Sequence, residues 1–272
     1  FRSLSTSNLP TPTIVKPSEH FDTVTYTGNS STKSISSLNF KPDLVWIKGR
    51  SYGSSNHILN DIVRGPNKTL FSNQSLAEYT DRGIESFDSN GFSLSGTEGG
   101  DANADTQTYV AWNWKGSNAT TTNTAGSITS VVSANPTAGF SVINYTGTGA
   151  SGAVGHGLSS TPNFIIFKQR SGGAGSGVQD WGTYHSSIGS TGAVRLNLNN
   201  ANVTNSTYFN NATPTATVIN LGSFQNYNEL NGNFIAYAFS EVPGYSKFGG
   251  YTGNNSSDGV FVYTGFKPRW IM

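Results

Sequence analysis

The stretch Lys41-Pro42-Asp43-Leu44-Val45-Trp46-Ile47-Lys48-Gly49-Arg50 decides the fold, because the chain repeats it. A second copy is Thr161-Pro162-Asn163-Phe164-Ile165-Ile166-Phe167-Lys168-Gln169-Arg170, and a third copy begins at Lys267-Pro268-Arg269-Trp270-Ile271-Met272. A Tyr-Thr-Gly tripeptide precedes each copy, at residues 26–28, 145–147 and 251–253. One structural unit is therefore written out twice in full, and the start of a third unit follows.

The repeated stretch has the pattern of a buried β-strand. Residues 44–47 are consecutive and apolar, which predicts a central strand buried on both faces. Pro42 is tolerated at its start, because there it removes only a terminal hydrogen-bond donor of the sheet. Each unit otherwise consists of short strand-forming segments separated by Gly, Asn and Ser turns, and no long apolar pattern has a helical period. The sequence therefore predicts an all-β fold of tandem, jelly-roll-like β-sandwich domains with little helix.

The repeat also sets the expected domain boundaries. We expect an extended N-terminal arm or linker at residues 1–20, a first repeat at 21–115, a linker at 116–126, a second repeat at 127–245 and the start of a truncated third repeat at 246–272. The first residues do not resemble a signal peptide and do not begin with Met. We therefore expect the chain to be a fragment of a longer polypeptide.

The composition excludes several classes of protein. Charged residues make up 11% of the 272 residues, against about 25% in an average soluble domain. A net charge of +1 argues against nucleic-acid binding, and 12% aromatic residues argue against disorder. The absence of cysteine excludes disulfides and thiolate metal sites, and no apolar stretch is long enough for a membrane helix. Abundant Gly, Ser, Thr and Asn are typical of all-β extracellular or virion proteins.

The four histidines do not predict a catalytic set. His57 precedes Asp61 by four residues, and His185 is interpreted as its equivalent in the second copy, but no acid follows His185. No Gly-x-Ser-x-Gly nucleophile motif occurs. We therefore favour structural or polar-network roles for His57 and His185, and a turn at His156, which lies between two glycines.

Acidic residues supply the main enzymatic alternative. A glycosidase needs two carboxylates on either side of the scissile bond. One run of the first repeat could provide them, at Asp81, Glu85, Asp88, Glu98, Asp101 and Asp105. The second copy has no matching acids, so solvated loop charges are the favoured interpretation. Residues 99–105 resemble a calcium loop in composition but lack its ligand spacing, so calcium stays an open alternative. We predict no catalytic residue, no cofactor and no metal ligand.

Aromatic residues are the candidates for a glycan or host contact. Trp112 and Trp114 share one face of a predicted strand, where core packing is the competing interpretation. Trp181 and Tyr184 lie beside the glycine-rich residues 172–177, and we expect them to form an exposed contact.

An ordered set of motifs gives a family resemblance. The set comprises Phe40-Lys41-Pro42-Asp43-Leu44-Val45-Trp46-Ile47-Lys48-Gly49-Arg50, His57-Ile58-Leu59-Asn60-Asp61, Tyr109-Val110-Ala111-Trp112-Asn113-Trp114-Lys115, Val154-Gly155-His156-Gly157-Leu158 and Ser246-Lys247-Phe248-Gly249-Gly250-Tyr251. It resembles a repeat family of bacteriophage tail proteins, particularly those of marine and cyanobacterial phages. The resemblance covers about residues 8–272, and it supplies no catalytic residues to carry over.

The resemblance implies a virion structural protein, a tail fibre or other appendage component that presents β-domains for attachment to host-surface glycan. It further implies self-association, with a homotrimer expected by analogy, and contacts with other tail or virion proteins. The near-zero net charge and the lack of a long apolar stretch predict no nucleic-acid binding and no membrane insertion. The expected location is the virion, an extracellular particle assembled in the host cytoplasm. Two alternatives are a polysaccharide depolymerase of the host envelope and a secreted bacterial adhesin or lectin module.

Overall fold

The computed structural model describes residues 12–96, 99–174 and 177–272. Strands account for 38% of the residues and helices for 4%, with several antiparallel sheets, so the predicted all-β, sandwich-type fold with little helix is confirmed. The helical elements are short: α1 (Gln225–Asn228) and the 3-10 turns Pro17–Glu19 and Gly99–Asp101. No helix in these described ranges has the length and hydrophobicity needed to span a bilayer.

The first repeat is built on one six-stranded antiparallel sheet and one three-stranded sheet. Its strands are β1 (Phe21–Thr27), β2 (Lys33–Ile35), β3 (Leu44–Gly49), β4 (His57–Asp61), β5 (Lys68–Phe71), β6 (Tyr79–Thr80), β7 (Ile84–Asp88), β8 (Gly91–Leu94) and β9 (Thr108–Trp114). The large sheet has the order β1-β9-β3-β4-β5-β6, and the small sheet has the order β2-β8-β7.

The second repeat uses the same plan, again with a six-stranded large sheet but with different outer strands. Its strands are β10 (Thr121–Asn123), β11 (Ser130–Asn135), β12 (Phe140–Thr146), β13 (Gly152–Gly155), β14 (Phe164–Gly172), β15 (Gly182–His185), β16 (Gly192–Ala193), β17 (Val203–Thr204), β18 (Val218–Leu221) and β19 (Gly232–Phe239). The large sheet has the order β10-β11-β12-β19-β14-β15, and β13-β18 and β16-β17 form two-stranded sheets.

The two repeats match bond by bond at the start of the repeated stretch. Asp43 N donates to Trp114 O at 2.8 Å, and Asn163 N donates to Phe239 O at 2.7 Å. The side chains then accept from the segment that follows the closing strand: Gly116 N donates to Asp43 Oδ2 at 2.7 Å, and Glu241 N donates to Asn163 Oδ1 at 2.8 Å. Asp and Asn are interchangeable here because only an acceptor oxygen is needed.

The Tyr-Thr-Gly tripeptide has one structural role in both repeats. Tyr26 stacks on Tyr109 with ring centroids 5.3 Å apart, and Tyr145 stacks on Phe234 at 5.2 Å. The glycine that follows lies against a neighbouring carbonyl oxygen, so that a Cβ at Gly28 or Gly147 would lie 2.2 Å from it. The tripeptide is therefore retained for packing and not for chemistry.

A buried asparagine fixes the loop beside each tyrosine. Asn103 and Asn228 are fully buried. Asn228 Oδ1 accepts from Thr148 N at 2.8 Å, while its Nδ2 donates to Ala150 O at 2.6 Å and to Gly222 O at 2.9 Å. Asn103 makes the equivalent bonds in the first repeat, to Asn29 N, Ser31 O and Ser95 O. These loops are therefore held by side-chain amides where no strand pairing is available.

The central strands are buried on both faces, as their apolar sequences predict. Val45 and Ile47 face a core shared with the small sheet of the first repeat. Leu44 and Trp46 face the opposite way, into a core shared with the second repeat. Ile165 and Phe167 of the second repeat point into that repeat's own core. The two large sheets therefore pack face to face, between the small sheets of the two repeats.

The segment predicted as a linker, residues 116–126, is instead built into the fold. Strand β10 within it pairs with β11. Gly116 N and Asn118 N donate to the Asp43 carboxylate, which also accepts from the Ser133 hydroxyl of β11. A polar, small-residue composition suggested a linker, but here it supplies the short side chains and free N–H groups that surround a buried carboxylate.

The two chain ends also pack on the repeats. Of the arm predicted at residues 1–20, residues 1–11 lie outside the described residues, and Ile14 is buried against Ala138 and Val242. The predicted third repeat, residues 246–272, contains no strand among its described residues. Its Phe248 stacks on Phe164 at 6.3 Å, and its Trp270 lies 5.4 Å from Trp114. Both aromatic residues cover the margin of the core between the repeats.

We expect the substitution Asn228→Ala to lower the free energy of unfolding by about 3 kcal/mol, because it removes three hydrogen bonds and leaves the buried Gly222 O without its Asn228 donor. Urea unfolding followed by tryptophan fluorescence measures this. Asn220→Ala is the matched control, since Asn220 makes one exposed bond to Thr213 O and should cost less than about 1 kcal/mol. Equal effects of the two substitutions would contradict a structural role for Asn228.

Candidate functional site

The joint between the two repeats is a hydrophobic core to which both contribute. The first repeat supplies Leu44, Trp46, Leu59, Leu70 and Trp114. The second repeat supplies Phe140, Val142, Phe164, Ile166, Trp181, Ile235 and Tyr237. All of these side chains are buried. The repeats are therefore joined as the two halves of one core and not by a flexible linker.

A buried ion cluster lies within this joint. The Arg64 guanidinium contacts Asp61 Oδ2 and, at 3.0 Å, Glu78 Oε2, and Glu78 also pairs with Arg170 of the second repeat at 3.1 Å. Tyr237 of the second repeat donates its hydroxyl to Asp61 Oδ2 at 2.8 Å. Burial and Asp61 hold the pKa of Tyr237 well above its ordinary value, although Arg64 acts against them, so its hydroxyl stays a donor.

The second repeat also holds one loop of the first, residues 71–75. Trp181 Nε1 donates to Phe71 O at 2.8 Å and to Gln74 O at 3.1 Å. Lys168 Nζ donates to Ser75 O at 3.0 Å and to Gln179 O at 2.5 Å. Both side chains are fully buried. Polar atoms of the second repeat therefore satisfy backbone carbonyls of the first.

Lys168 is a buried amine without a carboxylate among its hydrogen-bond partners in the described residues. Burial lowers its pKa to about 7, against a smaller opposing effect of Asp180. A neutral amine retains two N–H groups, which match the two carbonyl oxygens that it contacts. The site therefore accommodates the neutral form without losing a hydrogen bond.

His57 and Trp181 occupy equivalent positions in the two repeats. His57 pairs with Lys48 across β3 and β4, and Trp181 directly precedes Gly182, which pairs with Phe167. His57 N donates to Asn73 Oδ1 at 3.0 Å, and Trp181 N donates to Asn197 Oδ1 at 3.0 Å. The interpretation of His185 as the partner of His57 is therefore wrong: His185 lies opposite Phe164, as Asp61 lies opposite Leu44.

A groove of about 540 Å³ lies on the side of the joint where His57 takes the place of tryptophan. Its lining residues come from both repeats and from the C-terminal segment: Trp46, His57, Ser72, Asn73, Leu196, Asn197, Leu198, Asn199 and Met272. Trp181, at the equivalent position of the second repeat, instead packs into the joint and donates to Phe71 O and Gln74 O of the first repeat. The groove is therefore the half of a pseudo-symmetric joint that the smaller imidazole leaves open.

The groove combines free polar groups with apolar surface. Within the described residues, neither the His57 imidazole nor the Asn199 amide makes a hydrogen bond, and Leu198 is 46% exposed. Burial, followed by the nearby Lys48, lowers the pKa of His57, so its ring is neutral at pH 7. A neutral imidazole both donates and accepts. Among the described residues, the groove therefore offers polar and apolar contacts but no nucleophile in hydrogen-bond contact with a base.

The candidate aromatic contacts are placed differently from expectation. Trp181 and Tyr184 are buried, with 0% and 2% exposure, so the prediction that they form an exposed contact is wrong. The neighbouring glycines suggested a surface loop, but Trp181 points into the other repeat. Trp114 is also buried, and Trp112 is half-buried with its ring edge-to-face against Trp46 at 6.1 Å. Core packing accounts for both of these tryptophans.

The acidic candidates that the structure describes do not meet around a cleft. Asp101 pairs with Arg82 at 3.1 Å, and Asp88 accepts from the hydroxyls of Ser86 and Ser93. Asp81 and Glu85 are exposed, and Glu98 lies outside the described residues. Within the described residues no group of three or more His, Asp or Glu side chains is arranged to hold a metal ion.

Sequence reasoning missed the side chains that matter most at the joint. Arg64 and Lys168 lie close to predicted buried strands, yet their partners Tyr237 and Ser75 lie 173 and 93 residues away. One feature of the sequence could have predicted these contacts: two cations, Lys168 and Arg170, follow the apolar residues of a predicted buried strand. Charges next to a strand buried on both faces need partners in the adjoining layer.

The substitution Tyr237→Phe tests the ion cluster. We expect it to lower the free energy of unfolding by about 2 kcal/mol, because Asp61 loses a buried hydrogen bond to its carboxylate. Thermal and urea unfolding measure the change. Tyr251→Phe is the matched control, since Tyr251 is 72% exposed and should leave stability unchanged. A neutral effect of Tyr237→Phe would contradict a stabilising role of the hydroxyl.

Lys168 predicts a pH dependence of stability. Its pKa is lowered in the folded state, so between pH 7 and about 10 the unfolded chain binds more protons, and stability rises with pH. We expect a gain of about 1 kcal/mol per pH unit between pH 7.5 and 9.5. Urea unfolding at several pH values measures it. Lys168→Met should flatten this slope, and an unchanged slope would show that Lys168 does not titrate in this range.

Comparison with known proteins adds one result. No curated protein and no solved structure matches this chain significantly. A family model does match it over residues 16–272, which includes both repeats, the joint and the C-terminal segment that carries Phe248 and Trp270. The chain therefore belongs to the DUF7483 family, which is described as a domain of unknown function.

Proposed function

We propose that this protein is a structural component of a bacteriophage virion, part of a tail fibre or related appendage that attaches to glycans on the host surface. The observation that carries the proposal is the joint, where two tandem repeats share one core and one buried ion cluster. Tandem units joined in this way make a stiff segment of an appendage, because bending would expose apolar surface and buried charges.

The surface supports attachment more than catalysis. Charged residues are only 11% of the chain, and hydroxyl and amide side chains take their place. Such groups form hydrogen bonds with sugar hydroxyls without the desolvation cost of a full charge. The sequence motifs that resemble phage tail proteins agree with this role. Self-association as a homotrimer and contacts with other tail proteins are part of the same proposal, by analogy with other fibres.

A competition experiment tests the proposed function. Purified protein is added to the bacterial host before the phage that encodes it, and phage adsorption is measured. We expect the protein to slow adsorption in a dose-dependent way, because it occupies the same surface glycans, and antibodies against it should label the virion in electron micrographs. The Asn228→Ala variant at a temperature above its unfolding transition serves as the unfolded control.

Two results would contradict the proposal. Antibody labelling of the bacterial surface in the absence of phage would favour a secreted adhesin or lectin module. Release of reducing ends from host polysaccharide by the purified protein would favour a depolymerase, and the variants Asp81→Asn and Glu85→Gln would then show whether the acidic run is responsible.

A further inference from the structure

We propose that the groove between the repeats is the glycan site, and that it takes an uncharged oligosaccharide. This inference rests on the proposed attachment to glycans and assigns that attachment to one place. It starts from the unequal halves of the joint. Trp181 closes one half by donating to Phe71 O and Gln74 O of the other repeat, whereas His57 at the equivalent position makes no such bond in the described residues.

The groove walls carry the two kinds of surface that a sugar ring requires. Leu198 and Met272 are 46% and 59% exposed, and they provide apolar surface for the C–H face of a pyranose. The His57 imidazole and the Asn199 amide provide donors and acceptors that no described residue occupies. Asn73 also lines the groove, with its Nδ2 donating to Asn56 Oδ1 at 3.1 Å and its oxygen accepting from His57 N. Convergent polar groups beside an apolar wall are typical of small-ligand sites.

The lining selects against charged sugars. Among the described residues, no Asp, Glu, Lys or Arg side chain lines the groove. Two charged side chains that contact lining residues have partners of their own: Lys48, opposite His57, donates to Ser55 O at 2.9 Å, and Asp180 accepts from Asn197 Nδ2 at 2.8 Å. A sialic acid or uronate would therefore lose hydration of its carboxylate without gaining an ion pair. Neutral hexoses and N-acetylhexosamines do not lose such hydration.

The size of the groove fits a short oligosaccharide. Its volume of about 540 Å³ falls within the range of about 300–1,000 Å³ that is usual for sites of small organic ligands.

The test uses the full chain and a defined panel of probes. Uncharged oligosaccharides of glucose, galactose, mannose and N-acetylglucosamine form one arm, and sialylated and uronate-containing oligosaccharides form the other. Binding is measured by saturation-transfer NMR and titration calorimetry. We expect at least one uncharged probe to bind, and no charged probe to bind more tightly.

Three variants locate the site. His57→Trp should close the groove as Trp181 closes its counterpart, abolishing binding while the melting temperature is unchanged or higher. Asn199→Ala should weaken binding about tenfold, which corresponds to about 1.4 kcal/mol. Leu198→Asp should weaken it by a similar factor. The matched controls are Asn200→Ala, an exposed neighbour that does not line the groove, and Leu230→Asp, which is 47% exposed outside the groove.

The outcomes separate this inference from the proposed function. Binding that survives all three groove variants, or that is confined to charged probes, would overturn the groove as the site but leave glycan attachment intact. Blocked phage adsorption with no probe bound would have the same meaning. Groove-dependent binding of an uncharged probe without any effect on adsorption would support the site and contradict the proposed attachment role.

Discussion

The structure depends on the need to bury both faces of each central strand. Residues 44–47 and 164–167 are apolar on both sides of the sheet, and one small sheet can cover only one side. A single repeat would therefore leave a continuous apolar face in water, at about 25 cal/mol for every Å² exposed. The second repeat covers that face. The tandem arrangement is thus a condition for the stability of either copy and not a simple duplication.

The polar groups of the joint determine how the two faces fit together. Apolar faces alone would allow many relative positions, whereas Arg64 must meet Asp61, Glu78 and Tyr237 at once. A misplaced repeat would leave buried charges unpaired, at a cost of several kcal/mol. The carbonyl groups of residues 71–75 must likewise meet their hydrogen-bond donors Lys168 and Trp181. We infer that these side chains specify the geometry of the joint more than they increase its stability.

The sequence predicts the structure within each repeat, because the contacts inside a repeat recur in both copies. The repeated unit, the buried central strand and the all-β class follow from periodic apolar residues and turn residues. It does not predict the contacts between the two repeats. The exposed interpretation of Trp181 failed because its partner lies 110 residues away. Likewise, the match of His57 with His185 failed because the sequence does not show which residue pairs across the sheet with Lys168, the equivalent of Lys48.

Differences between the copies are where function can arise. Residues that stabilise each unit have an equivalent in the other copy: Tyr26 matches Tyr145, Asn103 matches Asn228, and Asp43 matches Asn163 as an acceptor. His57 and Trp181 differ at the joint, and the smaller side chain leaves a groove beside it. Folding alone would be served by tryptophan at both positions, since a filled joint buries more apolar surface. An open groove with unpaired imidazole and amide groups is less stable than a filled one, so its presence argues for a ligand.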